Sequence, residues 1–114
     1  MPARLVPRIR VVADDTIVLG PGKADLLEAI HKSGTLRDAA TAMGMSYMRA
    51  WKLVHVMNEA FRAPLIVMTR GGTEGGRAEL TPAGRAVLKL YRRIERESNT
   101  ATRETWKTLR KLLR

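Results

Sequence analysis

Between Gly34 and Ala63 the apolar residues recur at helical intervals. Leu36, Ala39, Ala40 and Met43 form one stripe, and Ala50, Val54, Met57 and Phe61 a second. Each stripe follows a hydroxyl residue, Thr35 or Ser46, that can accept a bond from an unpaired helix-start N–H. Gly44 lies between them and tolerates the positive φ that ends a helix. This predicts two helices joined by a tight turn, the second the longer. Upstream, Leu26, Leu27 and Ile30 predict a helix over Lys23 to Lys32, with Glu28 and Lys32 paired on its other side and Ser33-Gly34 at its end. Further upstream, Arg8 to Ala13 and Thr16 to Leu19 are β-rich around an Asp14-Asp15 turn and predict a hairpin. Met1 to Pro7, with two prolines, reads as an arm.

Downstream, Pro64 disfavours helix in the residue before it. Leu65 to Thr69 reads as a strand, GGTEGG over 71–76 as a turn and Arg77 to Leu80 as a returning strand. Thr81 and Pro82 are suited to the N-cap and first position of a last helix. From there Val87, Tyr91, Ile94, Ser98, Ala101 and Thr105 follow an a/d-like rhythm, and Trp106, Leu109 and Leu113 continue it with a slight shift. Ser98-Asn99-Thr100 is where local hydrogen bonding could divide this segment into two helices. A helix so long has a face that one small domain does not cover, so dimerisation through Val87, Tyr91, Ile94, Ala101, Trp106 and Leu109 is expected. The fold class that follows is mainly α with small β: a winged helix-turn-helix over 1–81, with an N-terminal β-hairpin, and a long C-terminal dimerisation helix over 82–114.

In a helix-turn-helix the N-terminal half of the second helix enters the DNA major groove. Here that half carries Ser46, Tyr47, Met48, Arg49 and Lys52. Arg49 is the candidate base-edge contact, because bidentate Arg to guanine is the commonest specific pairing. Ser46 and Lys52 suit phosphate, as do Thr35 and Arg37 at the start of the first motif helix. Arg70, Thr73 and Arg77 belong to a wing able to reach the minor groove or adjacent phosphates. Trp51 either packs inward or lies on DNA; its large ring makes core packing the expectation. The alternatives are a helical hairpin in any small α domain, with solvated Arg49 and Lys52, and a glycine run that is a bare solvated turn. A nucleotide phosphate loop is a poor reading of the run, which lacks G-x-x-x-x-G-K-[ST] and a strand-to-helix setting.

Composition changes the picture in one direction. The chain has 114 residues, which suits one domain, and a formal net charge of +10. Residues 82–114 hold ten Lys/Arg against three Glu, net +7. Such a balance favours a polyanionic partner, with anionic membrane surfaces the competing class. Much of the tail charge reads as a solvated helix face. No apolar run approaches the roughly 20 residues of a membrane span, and the basic N-terminus lacks the apolar core of a signal peptide. With no cysteine, there is neither a disulfide framework nor a thiolate metal site. A cytoplasmic protein without membrane association is expected. His31 and His55 stand far apart, and no nucleophile–base pair, carboxylate pair or metal cluster occurs at usable spacing, so no enzyme and no resident metal is expected.

The runs LGPGKADLLEAI, SGTLRDAATAMGMSYMRAWKLVHVMNEAF and PLIVMTRGGTEGGRAELTPAGRAVL closely resemble the N-terminal domain of ModE-type molybdate-responsive transcriptional regulators, over roughly residues 8–95. LysR-type winged helices are more distant kin that share the AA…S…PL…LTPAG pattern. The resemblance implies operator binding to double-stranded DNA by a homodimer, with half-site centres about 34–36 Å apart or a multiple of that. Full-length members carry C-terminal molybdate-binding modules. This chain stops at Arg114 with a basic helical tail, so a regulator without its own effector domain is expected, served by a separate effector-sensing protein if by any. Molybdate enters through the resemblance alone; no cofactor follows from the residues. The competing function is an accessory or non-specific nucleic-acid-binding protein working through a protein partner.

Overall fold

The computed structural model describes residues 2–70 and 76–114. An extended arm leads into β1 (Val11–Ala13) and β2 (Thr16–Leu19), which pair antiparallel. Both turn residues have positive φ, 47° at Asp14 and 65° at Asp15. This is the type I′ arrangement, whose twist matches that of the strands. A register shift between Val11 and Val12 marks a bulge in this pairing. The consecutive residues Val18 and Leu19 are both buried, where strict alternation would bury only one.

Three helices follow: α1 (Pro21–Ser33), α2 (Leu36–Ala42) and α3 (Tyr47–Ala60). α1 begins two residues earlier than its apolar pattern indicates, because Pro21 occupies its first position, where a missing N–H costs nothing. Thr35 and Ser46 cap as expected: their hydroxyls accept from Asp38 N (3.0 Å) and Arg49 N (3.1 Å). Gly44 has φ 67° in the α2–α3 turn. Leu26, Leu27 and Ile30 of α1, Leu36, Ala39 and Ala40 of α2, and Ala50, Val54 and Met57 of α3 enclose the core. The buried alanines let the helix axes approach closely. Phe61 does not extend the α3 stripe: it is the C-cap, extended and half-buried.

β3 (Ile66–Thr69) and β4 (Arg77–Leu80) pair without a bulge, Ile66 opposite Leu80 and Thr69 opposite Arg77. Ala78 and Leu80 point into the core, and Ala78 N donates to Gly34 O, tying this hairpin to the end of α1.

The last element, α4 (Pro82–Arg110), is one 29-residue helix. The break considered at 98–100 does not occur. Thr102 Oγ1 donates to Ser98 O at 2.8 Å, so the polar side chains there bond within the helix rather than against it. α4 is about 44 Å long at 1.5 Å per residue, and beyond Tyr91 none of its residues is buried. The expected dimer seam is therefore divided. Val87 packs on the core, and Tyr91 is 2% exposed within it, so neither presents a free face to a partner. Trp106 is half-buried in a shallow groove shared with Ala3, Arg4 and Leu5. Ile94, Ala101 and Leu109 do face outward, joined by Leu90 and Leu112.

The arm also meets α4 at this level. Tyr91 Oη donates to Ile9 O at 2.7 Å across 82 residues of sequence. The Ile9 carbonyl is thus engaged by α4, and residues 8–10, expected in the first strand, stay unpaired until Val11. Arg92 bonds Asp25 (2.8 Å) and Glu95 (3.0 Å), with Glu28 at 3.6 Å. Burial opposes the Arg92 charge, but the hydrogen bonds to Asp25 and Glu95 outweigh it and hold the guanidinium above its usual range. Tyr91→Phe should cost about 1 kcal/mol, the net worth of one hydrogen bond. It should also speed amide exchange over residues 8–12 while leaving α3 unchanged, which hydrogen exchange would read directly.

Candidate nucleic-acid interface

The start of α2, the N-terminal half of α3 and the β3–β4 hairpin face a common groove of about 790 Å³. Thr35, Leu36 and Arg37 line it from α2, Tyr47 and Trp51 from α3, and Met68, Arg70 and Arg77 from the hairpin side. These residues are up to 42 positions apart in sequence, and the Ala78–Gly34 bond is what brings the hairpin alongside the α1–α2 junction. The Arg77 guanidinium lies beside Gly34.

The groove is cationic by construction. Arg37, Arg70 and Arg77 contribute to it, and no carboxylate lines it among the described residues. None of the three makes an ion pair among the described residues, whereas Arg92 and Arg93 on α4 and Lys32 on α1 do. Paired arginines are spent on the fold; unpaired ones leave an attractive field for a polyanion.

Of the expected site residues, Arg37, Ser46, Tyr47, Met48, Arg49, Lys52, Arg70 and Arg77 are all exposed, and Thr35 is half-buried. Thr35, Arg37, Tyr47, Arg70 and Arg77 meet in the groove. Met48, Arg49 and Lys52 lie outside its lining, on the surface of α3. The Thr35 and Ser46 hydroxyls already accept capping bonds, so what remains for an anion at either position is the hydroxyl proton. Thr73 lies outside the described residues.

Two residues stand apart from the sequence reading. Trp51 is not in the core: it is 40% exposed, lines the groove and stacks on His55 with ring centroids 5.1 Å apart and planes 8° from parallel. Buried positions on α3 recur at Ala50, Val54 and Met57, and the ring one step past Ala50 falls outside that stripe. The second is Lys23, at the start of α1. Burial, and then the charge of Arg49, hold its ammonium below the usual lysine range. The first turn of α1 thus adds a cation beside α3, from a stretch with no motif to flag it.

No charged side chain is buried, and no buried side-chain donor or acceptor lacks a partner among the described residues. No group of three or more His, Asp or Glu could hold a metal ion among the described residues, and no described helix is long and apolar enough to cross a membrane.

Three helices around an alanine-rich core, a capped helix whose outer face is free, and a hairpin flanking it define a winged helix-turn-helix. The fold is similar to that in a crystal structure of the Staphylococcus aureus MepR–DNA complex, with TM-score 0.55 and 17% identity over 81% of this chain and 79% of that one. Residues 23–85 match the family described as bacterial regulatory helix-turn-helix protein, lysR family, and the chain belongs to that family of transcriptional regulators. It is 35% identical over 98 residues to the molybdenum transport protein ModE of Azotobacter vinelandii, covering 86% of this chain and 36% of that protein. It is 40% identical over 77 residues to the molybdenum-pterin-binding protein MopB of Rhodobacter capsulatus, 68% of this chain and 28% of the relative. Against the DNA-binding transcriptional dual regulator ModE of Escherichia coli K12 the identity is 35% over 71 residues, 62% and 27%. The chain spans about a third of the length of these curated relatives.

Proposed function

We propose that this chain binds operator DNA in a sequence-specific manner as a homodimer in the cytoplasm. α3 would lie in the major groove and the hairpin on the adjacent backbone or minor groove. The observation that carries this reading is the groove itself: Arg37, Arg70 and Arg77 converge beside an exposed helix start with no carboxylate among the described lining residues. Arg49 reads a base edge. Lys52, Lys23 and Arg37 hold phosphates, which set register without specifying sequence. The second copy docks on the outward stripe of α4, through Leu90, Ile94, Ala101 and Leu109. Val87 and Tyr91 support that helix from within their own chain.

In this reading, a response to molybdate or another effector would be relayed by a separate effector-sensing protein. Catalysis has no part in this reading.

The test is selection of genomic fragments by the purified protein across a range of salt. A pseudo-palindromic sequence should be enriched, with half-sites one or two helical turns apart. Arg49→Ala should weaken the enriched site about tenfold, within the range for one Arg–guanine pair, while affinity for random duplex falls far less. Salt-sensitive binding with no enriched sequence, and equal losses on every duplex, would mark a non-specific binder instead.

A further inference from the structure

Resting on that reading, we propose that Trp51, flanked by Tyr47, reads thymine methyl groups, so that part of the sequence preference is hydrophobic rather than hydrogen-bonded. The outward face of α3 is unusually apolar at its N-terminal end. Tyr47 is 52% exposed, Met48 57% and Trp51 40%. An isolated exposed apolar residue needs no explanation, but several together on a surface otherwise built of cations do.

The Trp51 ring is also held in place. It stacks on His55, and His55 Nε2 lies 3.1 Å from Glu59 Oε1. Residues 51, 55 and 59 are successive i, i+4 positions, so one ridge of α3 braces the indole from its C-terminal side. Side chains on a helix lean toward its N-terminus, which carries the ring toward Tyr47. Trp51 and Tyr47 line the same groove. A braced ring loses little rotamer freedom on binding, which removes a cost that a mobile side chain would incur.

In the major groove the apolar feature available to such a surface is the thymine C5-methyl. Arginine and lysine supply contacts to guanine and phosphate; neither complements a methyl group. The aromatic pair therefore adds a discrimination that the cations of this interface cannot make.

The experiment replaces thymine by deoxyuridine, one position at a time, in the enriched DNA fragment. This removes the methyl and keeps every hydrogen-bonding group. The wild-type protein should lose about fourfold affinity at one thymine per half-site, the worth of one buried methyl carbon, and about 15-fold when both symmetric positions are changed. Trp51→Ala should bind the thymine and uracil duplexes equally, and the salt dependence of its binding should match that of the wild type, since no charge is lost. Trp51→Gln, which keeps good helix propensity, should behave the same way, and melting curves of both variants report that the fold is retained.

A wild-type protein indifferent to uracil at every thymine of an enriched site overturns this inference and leaves the operator reading intact. So does a methyl effect that persists undiminished in Trp51→Ala. Failure to enrich any sequence overturns the operator reading itself, and this one with it.

Discussion

Gly84→Ala should be among the most damaging single-methyl changes in this chain, costing about 3 kcal/mol, the upper end of the usual range for overpacking. Gly84 is buried in the first turn of α4, directly against the backbone of Leu65. A Cβ there would overlap the Leu65 carbonyl oxygen and come within 3.0 Å of its carbonyl carbon and 3.3 Å of its Cα. These are main-chain atoms and cannot swing aside. They are also committed: Leu65 O accepts from Thr81 N at 2.9 Å, and Thr81 Oγ1 donates to Pro64 O at 2.6 Å while accepting from Gly84 N at 2.9 Å. Relief would require α4 to lift from the β3 entry, breaking this clip. Thermal unfolding should show a midpoint about 12 °C lower. The control is Gly22→Ala in α1, where an added methyl meets nothing within 4 Å. That change should be neutral or stabilising by up to about 1 kcal/mol, because alanine reduces the freedom of the unfolded chain. If both variants melt together near the wild-type temperature, the close approach of α4 to Leu65 is not what holds the helix there.

Asn58→Ala should cost about 3 kcal/mol and loosen the wing, although Asn58 touches neither the groove nor the centre of the core. Its side chain is fully employed on the segment that leaves α3. Oδ1 accepts from Leu65 N at 2.8 Å and Ile66 N at 3.0 Å, and Nδ2 donates to Ile66 O at 2.9 Å. Leu65 and Ile66 are 0% and 2% exposed, so these peptide groups have little access to water. Removing the amide leaves buried main-chain donors and an acceptor unsatisfied, at about 1–3 kcal/mol each before relaxation. The amide also sets where β3 begins, and through the Ile66–Leu80 register it sets how the hairpin meets α2 and α3. The variant should therefore lose DNA affinity as well as stability. Amide exchange should rise over residues 66–69 and 77–80 before it rises in α1. A variant with normal stability and normal wing protection would mean that water replaces the amide without loss.

Both predictions concern residues whose importance the chain does not advertise. The local elements were legible from residue chemistry. Thr35, Ser46 and Thr81 cap three helices because their hydroxyls reach the third backbone N–H beyond them. Gly44 turns the motif because a positive φ is needed there. The apolar spacing of Leu36, Ala39, Ala40, Ala50, Val54 and Met57 turns the other face of α3 outward, and with it Arg49 and Lys52. These are short-range consequences of periodicity and capping, and they hold wherever the element is packed.

What depended on distant parts of the chain could not be read in this way. A period of 3.5 along α4 marks a stripe but not its partner. Tyr91 lies in the core cluster, with its hydroxyl bonded to the Ile9 carbonyl 82 residues earlier, while Ile94 is exposed. Trp51 has the composition of a core residue, yet its neighbour Ala50 took the inward position, and a 100° step leaves the ring on the surface. Asn58 looked like an ordinary helix residue until Leu65 and Ile66 folded back onto it. The sequence by itself determined the helix-turn-helix, the helix caps, the two hairpins and the basic surface around α3, since each is set by neighbours within a few residues. Only the tertiary structure decided which apolar residues stayed exposed, which arginines formed ion pairs among the described residues and how the wing came to face α3. Those outcomes depend on long-range contacts, where one surface competes with another for the same burial.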